Sequence, residues 1–178
     1  RGSSVVCEAP TDHTHLKSEE DTAMSGTVEQ RLMDMGVELP TPAAPAANYV
    51  PYVITGNLIY VSGQITMLDG DLQYIGKVGD NLTVDDGYQA ARICAINLLA
   101  QVKDACFGDL DRVTQVVKLG GFVNCTPDFT EMPQVVNGAS DLIADVFGDA
   151  GKHARFAVGA PSLPLGIAVE VDGIFEIA

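Results

Sequence analysis

Residues 153–172 read His153-Ala-Arg155-Phe-Ala-Val-Gly-Ala-Pro-Ser-Leu-Pro-Leu-Gly-Ile-Ala-Val-Glu170-Val-Asp. Two alternating apolar segments flank a turn rich in proline and glycine, a pattern typical of a β-hairpin. Pairing around residues 162 and 163 puts Phe156 opposite Val169 on one apolar face. The same register sets Arg155 opposite Glu170 on the other face, with their Cβ atoms about 5 Å apart. We therefore predict a closing hairpin over residues 154–177.

The charged pair in this predicted hairpin has two interpretations. A cross-strand ion pair on the surface is worth about 0 to 1 kcal/mol and requires no function. Alternatively, a guanidinium and a carboxylate held on one face could form part of a ligand site, because arginine binds carboxylates through two parallel hydrogen bonds. The choice between them depends on the rest of the chain.

Upstream of the hairpin, periodicity predicts alternating strands and helices. Apolar residues at helical spacing indicate helices over residues 83–106 and 132–147, and alternating or β-branched runs indicate strands over residues 49–55, 58–65 and 113–123, with a weaker strand over 72–75. Thr83, followed by two aspartates, suits a helix N-terminus. The resulting order, β-β-β-α-β-α-β-β, predicts an α+β fold in which two helices cover one face of a mixed sheet.

The N-terminal part of the chain divides at about Met24. Residues 1–23 show no sustained periodicity, and we predict a tag or a disordered segment there. Residues 24–45 are predicted to form a short helix, with Thr27 as a possible cap and its end at Gly36, followed by a proline-rich tether. Residues 46–178 then form a single domain.

Composition excludes several classes of function. The chain has 178 residues, of which 47% are hydrophobic and 19% charged, as in a single globular domain. No apolar run is long enough to span a bilayer, and no basic-then-apolar leader is present, so we expect a cytoplasmic protein without a membrane partner. The net charge of −14 repels phosphate backbones, which disfavours nucleic acid as a partner.

The cysteines and histidines do not predict a metal site. Cys7, Cys94, Cys106 and Cys125 form no C-x-x-C motif and lie at no ligand spacing from the histidines. We expect reduced, mostly buried thiols. His153 precedes the strand that carries Arg155, and it is expected to be structural or solvent-facing rather than catalytic.

Several motifs together resemble those of the YjgF/RidA family, also described as endoribonuclease L-PSP or translation initiation inhibitor. They are Tyr49-Val-Pro-Tyr, Gly56-Asn-Leu-Ile-Tyr-Val-Ser-Gly-Gln64-Ile, Asn137-Gly-Ala-Ser, and the Arg155 and Glu170 spacing. The resemblance covers residues 46–178 in the family's order. It implies the chorismate-mutase-like fold, in which three subunits close their sheets into a barrel with a ligand cleft at each interface. A homotrimer is therefore expected.

The resemblance also assigns catalytic roles. Arg155 matches the arginine that anchors the substrate carboxylate, and Glu170 matches the glutamate that positions the attacking water. Ala157 stands where the archetypal RidA pattern has cysteine. Its backbone N–H can still serve the pocket, but a thiol-dependent role is excluded, and a side branch of the family is indicated.

Four further residues match the family's substrate-binding pocket. Ser62 and Gly63 resemble its Ser-Gly pair, for which the alternative is a serine that only satisfies nearby backbone. Tyr49 matches the aromatic residue that lines the cleft, with Tyr52 as the competitor if the segment shifts. Asn137 matches a pocket asparagine on the second helix, provided that Thr130-Glu-Met-Pro is an insertion.

The implied function is hydrolytic deamination of reactive enamines and imines, such as 2-aminoacrylate or 2-iminobutyrate, to 2-keto acids and ammonia. It requires no metal or other cofactor, and the partner is a small 2-imino or 2-keto carboxylate. The main alternative is a non-catalytic trimer that binds a small carboxylate as a sensor or chaperone. Ribonuclease activity is disfavoured because the chain shows no clustered Lys and Arg.

Overall fold

The computed structural model of this protein describes residues 26–42 and 48–178. The regular elements along these residues are α1 (Thr27–Asp34), β1 (Tyr52–Thr55), β2 (Leu58–Gln64), β3 (Met67–Leu68), β4 (Asp71–Leu72), α2 (Val84–Ala105), β5 (Val113–Asn124), α3 (Met132–Phe147), β6 (Ala154–Ala160) and β7 (Val169–Ile177). The segment predicted as a tag, residues 1–23, lies outside the described residues. So do residues 43–47 of the predicted tether.

The two long helices begin and end close to the predicted positions because their termini carry strong local signals. The Thr83 hydroxyl accepts a hydrogen bond from the Asp86 N–H, and the Asp86 carboxylate accepts one from the Thr83 N–H, which forms a capping box ahead of α2. Helix α3 ends at Phe147 and is followed by Gly148 in the C-cap position, whose φ of 63° suits glycine. Both helix predictions are confirmed within one residue.

A mixed sheet of five strands, in the order β1-β2-β7-β5-β6, forms the centre of the fold. The β5 and β6 strands run parallel, and the other neighbouring pairs are antiparallel. Helix α3 connects the two parallel strands, as a parallel pair requires. The predicted α+β class and the mixed sheet are confirmed.

The predicted hairpin between the last two strands is wrong. Strand β5 lies between β6 and β7, so that Arg155 pairs with Leu119 and Glu170 pairs with Phe122. The connection over residues 161–168 contains a 3₁₀ turn at Pro164–Gly166. This connection is long enough to cross the end of β5. A tight two-residue turn would have forced β6 and β7 to be neighbours.

The weak third strand also differs from the prediction. A small separate hairpin, β3 with β4, turns at Asp69 and Gly70, whose φ angles are 53° and 88°. The extended backbone then breaks at Tyr74, with a φ of 51°, before Ile75 forms a single bridge to Ile167. Positive φ angles interrupt a strand, which is why no continuous strand covers residues 72–75.

Both long helices lie on one face of the sheet, as predicted. Helix α2 packs on β2 and β7, helix α3 packs on β5 and β6, and the two helices pack against each other. Among the described residues, the opposite face is not covered by another element. It exposes Val53, Tyr60, Phe122 and Val158, each at least 40% exposed. A sheet face of this kind is typical of an interface.

Helix α1 is attached to the domain through the buried side chains of Val28 and Leu32 and through polar contacts. The Asp111 carboxylate accepts hydrogen bonds from the N–H groups of Thr27 and Val28, at 2.7 and 2.9 Å. Thr27 is therefore the first helical residue rather than the cap, and Gly26 in the cap position supplies no side chain. In addition, the Arg31 guanidinium donates to the carbonyl of Val146 in α3 at 2.9 Å.

Within residues 26–42 and 48–178, no helix combines the length and the apolar character that crossing a bilayer requires.

The crossing of α2 and α3 provides a stability test. A Cβ atom on Gly138 would overlap the backbone carbonyl of Tyr88 in α2. A helical glycine normally gains about 1 kcal/mol when it is replaced by alanine. We expect Gly138→Ala instead to lower the free energy of unfolding by about 1 to 3 kcal/mol, the usual cost of overpacking.

Urea denaturation followed by circular dichroism measures this change, and Gln134→Ala, at an exposed position of the same helix, is the matched control. A stabilising Gly138→Ala substitution would contradict the close approach of the helices.

Candidate active site

Arg155 is held against helix α3 by a set of hydrogen bonds. Its Nη1 donates to Asn137 Oδ1 at 2.8 Å and to Ser140 Oγ at 3.0 Å, and its Nη2 donates to the carbonyl of Pro133 at 3.4 Å. Asn137 and Ser140 are three residues apart and thus share one face of the helix. The structure brings together two of the predicted site residues, Arg155 and Asn137.

The remaining donors of the guanidinium are suited to an anion. Arginine has five N–H donors, and the three bonds to α3 use both on Nη1 and one on Nη2. Within the described part of the chain, Nε–H and one Nη2–H make no protein hydrogen bond, and no carboxylate lies within 4.0 Å of the guanidinium. A carboxylate is the ligand that such a fork binds best.

Ser140 is a contact that the sequence interpretation did not assign. It lies within the Asn137-Gly-Ala-Ser motif, one helical turn after Asn137, and this spacing was the available signal. Ala157 follows Arg155 on the same side of β6 and is half-buried against the core. Its methyl group cannot form a polar contact with a ligand, so that only its backbone is available.

A second group of predicted residues lines a cavity near the opposite edge of the sheet, between β2 and α2. Tyr49, Ser62 and Gly63 contribute to a cavity of about 530 Å³, together with Pro40, Pro42 and Met67. The Ser62 hydroxyl donates to the carbonyl of Val50 at 2.8 Å, and its own N–H donates to the carbonyl of Pro51 at 2.9 Å. Ser62 thus makes local backbone contacts while it borders the cavity.

Tyr49 rather than Tyr52 lines this cavity. The Tyr52 hydroxyl donates to the carboxylate of Asp104 in α2 at 2.8 Å, and this hydrogen bond raises the pKa of the tyrosine. Tyr49 makes no such hydrogen bond with the residues that the structure describes, and it is 53% exposed. Its ring is accessible to a ligand or to a neighbouring chain.

Glu170 projects from β7 on the face opposite the helices, beside Gly63. The flanking Val169 and Val171 are fully buried, and the alternation of a strand points Glu170 the other way. A Cβ atom on Gly63 would overlap the Glu170 carboxylate, so the glycine makes room for it. Burial raises the pKa of Glu170, and the charge of Asp172 raises it further.

Within one chain, the seven predicted residues form two separate groups. Arg155, Asn137 and Ala157 lie at the β6 edge on the helix side, and Tyr49, Ser62, Gly63 and Glu170 lie around β2 and β7. Strands β6 and β7 are two strand spacings apart, about 10 Å. Because Arg155 and Glu170 also point to opposite faces, the predicted cross-strand pair does not exist in the chain.

The other reactive groups to consider are the cysteine thiols and the side chains that could bind a metal. Cys94, Cys106 and Cys125 are buried free thiols, as expected, and burial raises the pKa of each. No cluster of three or more His, Cys, Asp or Glu side chains with metal-binding geometry occurs in the part of the chain that the structure describes. Cys7 lies outside that part.

Comparison with known proteins places this fold and these motifs in a family. Residues 29–176 match the family model described as "YjgF/chorismate mutase-like, putative endoribonuclease". Protein TCP17 of Trypanosoma cruzi is 51% identical over 154 residues, which cover 86% of this chain and 96% of that protein.

Two solved structures are also similar. The protein Atu1372 of Agrobacterium tumefaciens, described as of unknown function, is 49% identical with a TM-score of 0.82, over 88% of this chain and 96% of that chain. A Shewanella oneidensis protein with the same endoribonuclease description is 41% identical with a TM-score of 0.82, over 85% of this chain and 100% of its own. The chain belongs to the YjgF/chorismate mutase-like family.

Proposed function

We propose that this protein hydrolyses small 2-imino carboxylates and their enamine tautomers, such as 2-iminobutyrate and 2-aminoacrylate, to 2-keto acids and ammonia. The observation that carries the proposal is the Arg155 guanidinium, which α3 holds on one side while its Nε–H and one Nη2–H make no hydrogen bond with any described residue. This fork would bind the substrate carboxylate and orient the adjacent C=N bond. Family membership supports the same class of small-molecule chemistry.

The chemical step needs a base for water. Water adds to the carbon of the C=N bond as a carboxylate accepts one of its protons, and the nitrogen takes up a proton. The protonated carboxyl group then returns its proton to the nitrogen, the hydroxyl of the addition product releases its remaining proton to solvent, and the C–N bond breaks with its electron pair on nitrogen, which leaves a 2-keto acid and ammonia. We assign the base role to Glu170, whose carboxylate lies beside Gly63 with a raised pKa. A correctly placed base of this kind contributes about a hundred- to ten-thousand-fold to the rate.

A complete site requires a second copy of the chain. Arg155 and Glu170 point to opposite faces of one sheet, and the uncovered face exposes apolar side chains. A closed homotrimer would cover that face and place the arginine group of one subunit beside the Tyr49, Ser62, Gly63 and Glu170 group of its neighbour. We therefore propose that the ligand binds in a cleft between subunits.

The alternative, a trimer that only binds small carboxylates, uses the same arginine and differs only in turnover. The family's description also includes ribonuclease activity, but the net charge of −14 opposes binding of a polyanion.

Substitutions at Arg155 and Glu170 separate binding from catalysis. Arg155→Ala removes the carboxylate anchor, and we expect at least about a 100-fold loss of 2-ketobutyrate affinity together with loss of turnover. Glu170→Gln is nearly isosteric, and we expect it to keep affinity while kcat falls about a hundred- to ten-thousand-fold. Keto-acid release from imines generated by an amino-acid oxidase measures kcat, and calorimetry measures affinity.

Arg112→Ala and Glu38→Gln, which change charges outside the site at a half-buried and an exposed position, are the controls. Binding of 2-keto acids by the wild type without any acceleration of imine hydrolysis would favour the binding protein. Unchanged binding and turnover in both site variants would remove Arg155 and Glu170 from the site.

The pH dependence of hydrolysis reports on the proposed base. Glu170 must be ionised to accept a proton, and its raised pKa means that ionisation is lost at a higher pH than for an exposed glutamate. We expect kcat/KM, corrected for spontaneous hydrolysis, to fall on the acid side with an apparent pKa above 4.5, the ordinary value for glutamate. Asp172→Asn should move this limb to lower pH because it removes the neighbouring charge. If the acid side of the pH profile is unchanged in Glu170→Gln, the titration belongs to another group.

The trimer is tested by its mass in solution. We expect sedimentation equilibrium to report three chains at micromolar concentration. Val158→Asp places a charge on the uncovered sheet face, where Val158 is 40% exposed in the single chain, and should dissociate the trimer. Met33→Asp, at an exposed position of α1, should not. A monomeric wild type would exclude the shared cleft.

A further inference from the structure

A continuous chain of hydrogen bonds leads away from Arg155 into the protein. The Arg155 Nη1 lies 3.0 Å from Ser140 Oγ, which lies 3.0 Å from His153 Nε2, and His153 Nδ1 lies 2.6 Å from the carbonyl oxygen of Gly151. The chain therefore connects the guanidinium to the backbone just before β6 through two side chains.

The direction of each hydrogen bond follows from the chemistry of its two ends. The Gly151 carbonyl can only accept, so His153 carries its proton on Nδ1. In a neutral ring, Nε2 is then an acceptor, and the Ser140 hydroxyl donates to it. With its proton committed to the imidazole, the Ser140 oxygen presents its lone pairs to Arg155, which can only donate.

Burial supports the neutral form of the ring. His153 is half-buried, and burial lowers its pKa by more than the Gly151 hydrogen bond raises it, while the nearby Arg155 charge lowers it a little further. Backbone geometry holds the acceptor in place as well. Gly151 ends a 3₁₀ turn so tightly packed that a Cβ atom there would approach the Ile143 carbonyl to 2.5 Å.

We propose that Ser140 and His153 are positioning residues that orient the Arg155 guanidinium for binding of a carboxylate. This inference rests on the proposed function, because it assumes that Arg155 is the carboxylate anchor. Asn137 Oδ1 receives one Nη1 proton and Ser140 Oγ the other, and together they fix the plane of the guanidinium. The orientation of that plane sets the direction of the two remaining donors, Nε–H and Nη2–H.

Loss of either positioning residue has a defined consequence. Without the imidazole acceptor, the Ser140 hydroxyl is free to rotate, and its proton can point at the guanidinium instead of its lone pair. Without the serine, one Nη1 proton loses its partner. Since a hydrogen bond to a charged group is stronger than one between neutral groups, either change should weaken carboxylate binding about tenfold or more.

Matched substitutions distinguish this role from a purely structural one. We expect Ser140→Ala and His153→Phe to raise the Kd for 2-ketobutyrate about tenfold in calorimetry. Ser140→Thr retains the hydroxyl, and His153→Gln places an amide oxygen near the position of Nε2, so both should bind close to wild type. A structural role would instead follow side-chain size, with His153→Phe the better tolerated. That pattern, or unchanged affinity in Ser140→Ala, would overturn the inference.

The tautomer of His153 provides a readout that needs no activity. We expect ¹⁵N NMR to show a protonated Nδ1 and an unprotonated Nε2 at neutral pH, with the signal assigned by its absence in His153→Gln. The Nε2 shift should change in Ser140→Ala, which removes the donor. A proton on Nε2 in the neutral ring would overturn the inference whatever the activity.

The two proposals fail in different ways. A wild type that neither binds 2-ketobutyrate nor hydrolyses imines would overturn the proposed function and the anchoring role together. Normal binding by the wild type, with affinity unchanged in Ser140→Ala and His153→Phe, would overturn only the positioning role.

Discussion

The pairing of β5 with two different neighbours is the constraint on which the rest of the structure depends. Its antiparallel edge pairs with β7 and its parallel edge with β6. A parallel neighbour requires a crossover connection, which α3 supplies, and the helix is thereby placed on the face where Arg155 projects. The location of the arginine group thus follows from strand order.

Much of the fold could be predicted from local signals. The ends of α2 and α3 coincide with a capping box and a glycine at positive φ, and both are visible in the residues themselves. The partner of β6 could not be predicted in the same way. An alternating pattern shows which side chains of a strand face the core, but it does not show which other strand lies beside it. The hairpin interpretation assumed that successive strands are adjacent, which is common but not obligatory.

The candidate site, like the fold, could be predicted only in part from the sequence. Motif resemblance selected residues that the structure places in two groups, Arg155 with Asn137 and Tyr49 with Ser62 and Gly63. Ser140 was not assigned, although it lies one helical turn after Asn137 in the same motif, because this spacing alone does not show that its hydroxyl contacts Arg155. Periodicity within each strand still predicts which side chains share a face. It does not predict how far apart two strands lie.

The attachment of α1 has a consequence for how the family can vary. The Asp111 carboxylate binds two main-chain N–H groups and no side chain of the helix. A substitution at position 27 therefore leaves the contact intact, whereas a change at position 111 removes it. Over evolutionary time, position 27 can therefore drift in sequence while Asp111 cannot. The next two positions are constrained by contacts of their own, because Val28 is buried in the core and the Glu29 carboxylate accepts a hydrogen bond from the Leu110 N–H.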